Sequence, residues 1–524
     1  MSTPTSFDVQ LFPIPPNDTT GLTPPPPGRA PVGLCFSGGG SRALSAALGQ
    51  MRGLRALGLM DRVSYVSSVS GGTWASATYN YLPANISDDD FLGLPIAPQD
   101  ITTDSLSQLS PNNLGKVPAG LSWTHILETI FELKEKYKYP DSMLWQGIIG
   151  KYVLQPFGLW NQNLNGFPDR FYSLDAASVQ AIIDHNPGLN ANQFYTVQRP
   201  RPTLIMNGSL VSNPTTRGSQ LLPFESTQLI NGVRMTFPGK GPDGRTIGGG
   251  MMQSFAMGSA WQQNDQSGAG DRAQVSAPVR PFSLVDMVGI SSAAFAETVE
   301  AKLPHLDKLD PEYQYWPISG RQQTQPFNYL FTDGGSLENT GVSSMLSRRV
   351  PNVIACVNSQ TPLTREDGEI VLDSQIPLLF GLAPSPRKLR FNEPQRKDVP
   401  NDDARFVQVF PNDRYDEVAE GLWAASSAGG PAIYLQTVET VENPNFGVPQ
   451  YTVNILWVYN TAVQDWYNLL QPAVQKTVDK TRNFPNYDTV LQLDLSAAEV
   501  NLLAHLSCWN MTSQAETVRK LFGG

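Results

Sequence analysis

Two glycine-rich turns about thirty residues apart set the tightest constraint on how this chain folds. The first lies in "GLCFSGGGSRALSAALGQMRGLRALG", which starts at Gly33; the second is "VSSVSGGTW", which starts at Val66. Each follows a short apolar run, "PVGLCFS" or "RVSYVSSVS", that reads as a buried strand. After the first turn, Leu44, Ala47, Leu48, Met51 and Leu54 recur at helical spacing, and "LRALG" supplies a glycine stop. After the second, "GGTWASATYNYL" predicts another helix. Strand, helix, strand, helix at this spacing implies parallel strands joined by a right-handed crossover.

The rest of the chain extends that unit. "PTLIMNGSLV" reads as a further sheet strand, and "FNYLFTDGGSLENTGVSSMLSRRVPNVIACVNS" as strand, turn, helix, strand. "YTVNILWVYN" and "AAEVNLLAHL" suggest another strand and a late helix. Residues 1–30 end in "GLTPPPPGRAP" and predict an extended, poorly packed lead-in. With no repeat and no clear linker, residues 31–524 are expected to form one α/β domain with insertions. A cap or lid is expected within 140–165 and 208–325. The aromatic "LWQGIIGKYVLQPFGLW" and the polar stretch from Trp261 are its candidates, with core packing the other reading of the aromatics.

Composition narrows the classes. Hydrophobic residues at 40% and charged residues at 16% indicate a globular chain. A net charge of −10 argues against nucleic acid as a partner and against long-range attraction to an anionic membrane. Cys35, Cys356 and Cys508 form no disulfide framework, which favours a reducing compartment, and the first two read as buried structural thiols. The N-terminal stretch lacks a basic region followed by an apolar core, and no run of about 18 apolar residues occurs. A cytoplasmic location, peripheral at membranes, is the expectation.

Four features carry chemistry. Ser70, at a tight strand-to-helix turn, has the placement of a nucleophile elbow, or of an ordinary helix cap. The elbow pattern is Gly-x-Ser-x-Gly, and here Ser68 stands where the first glycine is usual. Gly38, Gly39 and Gly40 expose N–H groups at the positive end of a helix, suited to an anion or serving as a tight turn. With no Gly-Lys-Ser/Thr and no Gly-x-Gly-x-x-Gly, a nucleotide is a poor fit to that loop. Arg42 on the first helical turn opposes the helix dipole, which hints at an anionic partner; a surface role is the alternative. Asp333 in "LFTDGG" is either a general base or a turn cap. A serine nucleophile needs a base, and none of His125, His185, His305 and His505 stands at a strand end beside glycines. Asp333 is left as the best base.

Taken in order and at this spacing, these motifs resemble the catalytic core of the group IV cytosolic phospholipase A2 family and its patatin-like lipid acyl hydrolase relatives. "CFSGGGSRALSAALGQMRGLRALGLMDRVSYVSSVSGGTW" carries the resemblance; "TDGG" resembles the patatin-type aspartate motif, and "FSLVDMVGISSAAF" and "LLPFEST" are similar to further family segments. The resemblance implies a patatin-like three-layer α/β fold, with a central mostly parallel sheet flanked by helices. It implies Ser70 as nucleophile and Asp333 as base of a dyad, an oxyanion hole at Gly38, Gly39 and Gly40, and phosphate contact by Arg42. Arg349 matches a second family arginine, with Arg348 as the competing register. The activity implied is cleavage of fatty-acyl esters of glycerophospholipids or lysophospholipids, taken from a membrane or micelle surface, with no cofactor and no metal. A broader carboxylesterase or lipase, and a catalytically idle lipid-binding relative, are the alternatives. Only about 30 residues precede the glycine loop, so the family's calcium-binding membrane module is not expected. Oligomeric state is left open.

Overall fold

The structure is a computed structural model, and it describes residues 5–14, 24–161, 170–214, 219–261, 271–294, 296, 309–319, 326–382, 403–489 and 492–523. The strands of its main sheet, and the helices that bear on the candidate site, are numbered in chain order. The first half comprises β1 (Ser6–Pro13), β2 (Val32–Phe36), α1 (Gly40–Ala56), β3 (Tyr65–Val69), α2 (Gly71–Asn80), α3 (Leu144–Ile149), β4 (Thr203–Val211), β5 (Leu221–Ser226), β6 (Ile230–Gly232) and β7 (Gly250–Gln253). The second comprises β8 (Ala260–Trp261), β9 (Arg272–Ser276), α4 (Leu284–Ser291), β10 (Glu312–Tyr315), β11 (Phe327–Asp333), α5 (Val342–Leu346), β12 (Asn352–Val357), β13 (Ile433–Glu439), β14 (Thr452–Tyr459) and α6 (Ala497–Ser513).

The sheet has 14 strands in the order β8-β9-β1-β7-β6-β5-β4-β3-β2-β12-β14-β13, with β11 paired to β4 and β10 to β11. Its heart, β14-β12-β2-β3-β4, is parallel. Antiparallel strands extend it on both sides. Every residue of β2 and β3 is buried, as expected of parallel strands covered on both faces. Successive residues feed opposite faces: Leu34, Phe36, Ile354 and Cys356 join one core, while Cys35, Val353, Ala355 and Val357 join the other. That alternation makes three layers, with the sheet in the middle.

Helix α1 covers one face and is itself clamped by α6. A Cβ on Gly49 would overlap the Ala504 carbonyl, and one on Gly53 would come within 2.7 Å of Met511 Cβ. The two glycines therefore let the helix backbones approach closely, which fixes the axis of α1 and with it the glycine loop at its start.

Two expectations are corrected or refined. Residues 6–13 are not a loose lead-in: β1 pairs with β9 and β7, and buries Phe7, Val9 and Leu11. The cause is the period-two apolar alternation in "SFDVQLFP", which makes one face of that strand hydrophobic. Between 140 and 165, the aromatic stretch turns inward: Trp145, Ile148, Ile149, Leu154, Phe157 and Trp160 are all buried, so core packing holds there. Trp261 is buried in β8, and the loop predicted after it, 262–270, lies outside the described residues. Among the described residues, no helix is long and apolar enough to cross a membrane.

Candidate active site

The parallel strands β2, β3 and β12 end on the same edge of the sheet, the edge where open α/β sheets place their sites. The two glycine-rich turns sit there in contact. A Cβ on Gly71 would overlap the Gly40 carbonyl, and one on Gly38 would stand 2.9 Å from Ser70 Cβ. Glycine is required at both turns because each is the other's wall.

Ser70 links β3 to α2 with φ 51° and ψ −122°, a conformation that residues bearing a Cβ rarely adopt. Its hydroxyl makes no helix-cap hydrogen bond, so the capping reading does not hold. The strained turn is anchored instead through the backbone. The Ser70 N–H donates to the Ser291 carbonyl at 3.0 Å and to Ser291 Oγ at 3.1 Å, and the Ser70 carbonyl accepts from Thr73 and Trp74. Ser291 Oγ in turn donates to the Asn207 carbonyl at 2.6 Å. Ser68 fits without the usual glycine because its hydroxyl accepts from Thr73 Oγ1 at 3.1 Å and Ser76 Oγ at 2.7 Å.

Asp333 ends β11 and is 2% exposed. Its Oδ1 accepts from the Gly335 N–H at 2.7 Å, so it does cap the turn that follows. Its place on the sheet is set by strand register. β3 runs parallel to the first half of β4, with Val69 opposite Asn207; β11 runs antiparallel along the second half, with Asp333 opposite Gly208. Because β5 occupies the other edge of β4, the ends of β3 and β11 meet along one edge.

The glycine loop divides its donors. The Gly38 N–H is engaged by Asn339, donating to its carbonyl at 3.0 Å and to Oδ1 at 3.2 Å. Among the described residues, no acceptor faces the N–H groups of Gly39, Gly40 or Gly71. Asn339 and Ser291 are the contributors that reading the sequence missed. Asn339 stands six residues after Asp333 in "TDGGSLENTG", and nothing local distinguishes it from a loop asparagine.

Arg42 is buried rather than on the surface. Its Nε donates to the Asn358 carbonyl at 2.9 Å, and Nη1 donates to the Tyr487 carbonyl. Nη2 lies where a Cβ on Gly39 would be. Burial pulls this guanidinium down to about 10, against the partial support of Asp373 and Asp488. The structure does not bring Arg349 to this edge. It is exposed, at φ 54°, just ahead of β12, whose first residue Asn352 pairs with Val32 at the start of β2. That is the opposite end of the sheet from Ser70. Arg348 is bound to Glu225 at 2.9 Å. The described histidines lie elsewhere: His125 against the Gly120 carbonyl, His185 beside Asp8, and His505 against Arg52. His305 lies outside the described residues.

A glycine loop and a strained serine elbow, side by side at the carboxyl edge of a parallel sheet, define the class: a patatin-like α/β fold. No family model matches the chain. It is similar to human cytosolic phospholipase A2 beta, 38% identical over 84 residues that cover 16% of this chain and 11% of that protein. It is also similar to human cytosolic phospholipase A2 zeta, 48% identical over 58 residues covering 11% of this chain and 7% of that one. The chain thus matches these curated relatives over no more than 11% of their length. Among solved structures, human GIVD cytosolic phospholipase A2 aligns with a TM-score of 0.46 at 14% identity, covering 94% of this chain and 60% of that chain. Over the matched residues the chain is similar to group IV cytosolic phospholipases A2.

Proposed function

We propose that the protein is a lipid acyl hydrolase that cleaves fatty-acyl esters of glycerophospholipids or lysophospholipids through an acyl-serine on Ser70. One observation supports this above the rest: two strand ends, one leading into a serine elbow and one ending in a carboxylate, meet beside one glycine loop. In this reading Asp333 accepts the Ser70 Oγ–H proton as Oγ bonds to the ester carbonyl carbon. The carbonyl electron pair moves onto oxygen, and the N–H groups of Gly39, Gly40 and Gly71 hold that oxyanion. The ester C–O bond then breaks, and Asp333 returns the proton to the departing glycerol oxygen. Water repeats the sequence on the acyl-serine and releases the fatty acid. One such donor is worth about a hundredfold to a thousandfold in rate. A carboxylate serves as base when shielded from water, and Asp333 is 2% exposed.

Arg42 contributes by field. Its charge sits directly behind Gly39, where it favours both the oxyanion and a nearby phosphodiester. A second reading, an esterase acting on uncharged esters, is favoured by the main-chain carbonyls that already occupy Nε and Nη1. Turnover of phosphatidylcholine vesicles and of a short uncharged ester, compared in Arg42→Gln, separates the two. The phospholipase reading expects the larger loss on the phospholipid; equal losses select the esterase. If wild type hydrolyses neither, or Ser70→Ala retains turnover, the proposal fails.

A further inference from the structure

At the end of α1 away from the glycine loop lies a cavity of about 370 Å³, with Arg52, Arg55, Met60, Gly93, Leu94 and Pro95 in its lining. Arg52 is 4% exposed, yet among the described residues no carboxylate pairs with it. Its Nε donates to the Leu92 carbonyl at 2.8 Å, and Nη1 lies 3.4 Å from His505 Nδ1. Burial and the Arg52 charge push His505 down to about 3, so the imidazole is neutral and adds no second positive charge beside Arg52.

The remaining donors converge. A Cβ on Gly93 would stand 3.1 Å from Arg52 Nη2 and 3.3 Å from Asn113 Nδ2. Asn113 is buried, and its Oδ1 already accepts from the Gly115 N–H at 2.9 Å, which turns its donor side to the same spot. Among the described residues, neither Arg52 Nη2 nor Asn113 Nδ2 meets an acceptor. The Arg52 guanidinium and the Asn113 amide, on side chains no more than 6% exposed, both face a bare glycine, where one anionic acceptor could take hydrogen bonds from both.

We propose that this cavity binds a monocarboxylate with a short apolar body, its oxygens on Arg52 Nη2 and Asn113 Nδ2 and its apolar part against Met60, Leu94 and Pro95. The guanidinium of Arg52, which has no carboxylate partner among the described residues, takes the one negative charge. Asp61 and Asp89 in the lining repel a doubly charged phosphate about twice as strongly as a monocarboxylate, and Arg55 is already bound to Asp89 at 2.8 Å. The carboxylate could belong to a free fatty acid or to a peptide C-terminus. The site draws on nothing at Ser70 and stands whether or not the proposed hydrolysis does.

The test is calorimetric titration of the full chain with octanoate, N-acetyl-glycyl-leucine, octanol and inorganic phosphate. Octanoate alone binding identifies a fatty acid, the peptide acid alone a chain terminus, and both the shared carboxylate chemistry. Binding is expected to weaken at least tenfold in Arg52→Gln and in Leu94→Glu. Leu94 is 65% exposed, so the latter places a repelling charge at the mouth without disturbing the fold, and it decides the matter if Arg52→Gln fails to fold. Absence of carboxylate binding, equal binding of octanol or phosphate, or carboxylate binding unchanged in Leu94→Glu would each overturn the proposal.

Discussion

Val69 and Asp333 stand opposite consecutive residues of β4, Asn207 and Gly208. One arrives on a parallel strand and the other on an antiparallel strand, along the same edge. Main-chain ladders therefore bring the strand end that precedes the elbow serine and the strand end that carries the carboxylate to the same edge of β4. A slip of one residue in either ladder would turn the side chain to the other face of the sheet.

The elbow stores strain, because Ser70 holds φ 51° with a Cβ present. Ser70→Gly is expected to be more stable than Ser70→Ala by about 1 kcal/mol, since glycine adopts that conformation freely. Urea unfolding of the two variants at equal slope checks this. A less stable glycine variant would mean that the turn is unstrained.

Asn339 keeps Gly38 in place through its carbonyl and its Oδ1. Asn339→Ala removes the second acceptor and lets the loop shift against Ser70. Turnover number is expected to fall about tenfold or more with KM little changed, because small displacements of aligned donors are expensive. Loss of stability should stay within about 1 kcal/mol, as the main-chain acceptor remains. Steady-state kinetics alongside thermal unfolding provides both readouts.

Helix packing makes a third prediction. Gly49→Ala drives a methyl into the Ala504 carbonyl, and is expected to cost about 1–3 kcal/mol by overpacking. Gly58→Ala meets nothing within 4 Å and is strained only by its φ of +71°, so about 1 kcal/mol is expected. Denaturation midpoints of the two variants should fall in that order.

Much of this was legible in the chain itself. The strand-turn-helix pairs at Gly38–Gly40 and Ser70 are local, and local patterns of apolar spacing and glycine specify them. The alternation in "SFDVQLFP" is equally local, but the strands that pair with it, β7 and β9, are not. Long-range relations were not legible. Asn339 meets Gly38 from 301 positions away, and Ser291 meets Ser70 from 221, so no window of sequence contains either pair. Arg349 shows the same limit in reverse. It follows Asp333 closely in the chain, yet the short α5 carries it to the far end of the sheet.

Acid should expose the buried histidine. Folded His505 takes up a proton only near pH 3, whereas an unfolded histidine does so below about 6.5. Below about pH 6.5 the unfolded chain therefore binds the extra proton, and stability falls with pH by about 1.4 kcal/mol per unit, down to the folded value. Above that range His505 adds no pH dependence. His505→Gln removes this slope, so denaturation at about pH 5 and pH 7 should show a smaller acid loss in the variant than in wild type. Parallel losses would place the acid sensitivity elsewhere.

The most direct measurement is reaction of the full chain with an alkyl fluorophosphonate, followed by mass spectrometry of the peptide that carries the adduct. The account predicts a phosphonyl group on Ser70, absent in Ser70→Ala and strongly slowed in Asp333→Asn, with both variants folded. An adduct on another serine, or labelling of Ser70 at full rate without the Asp333 carboxylate, would contradict it.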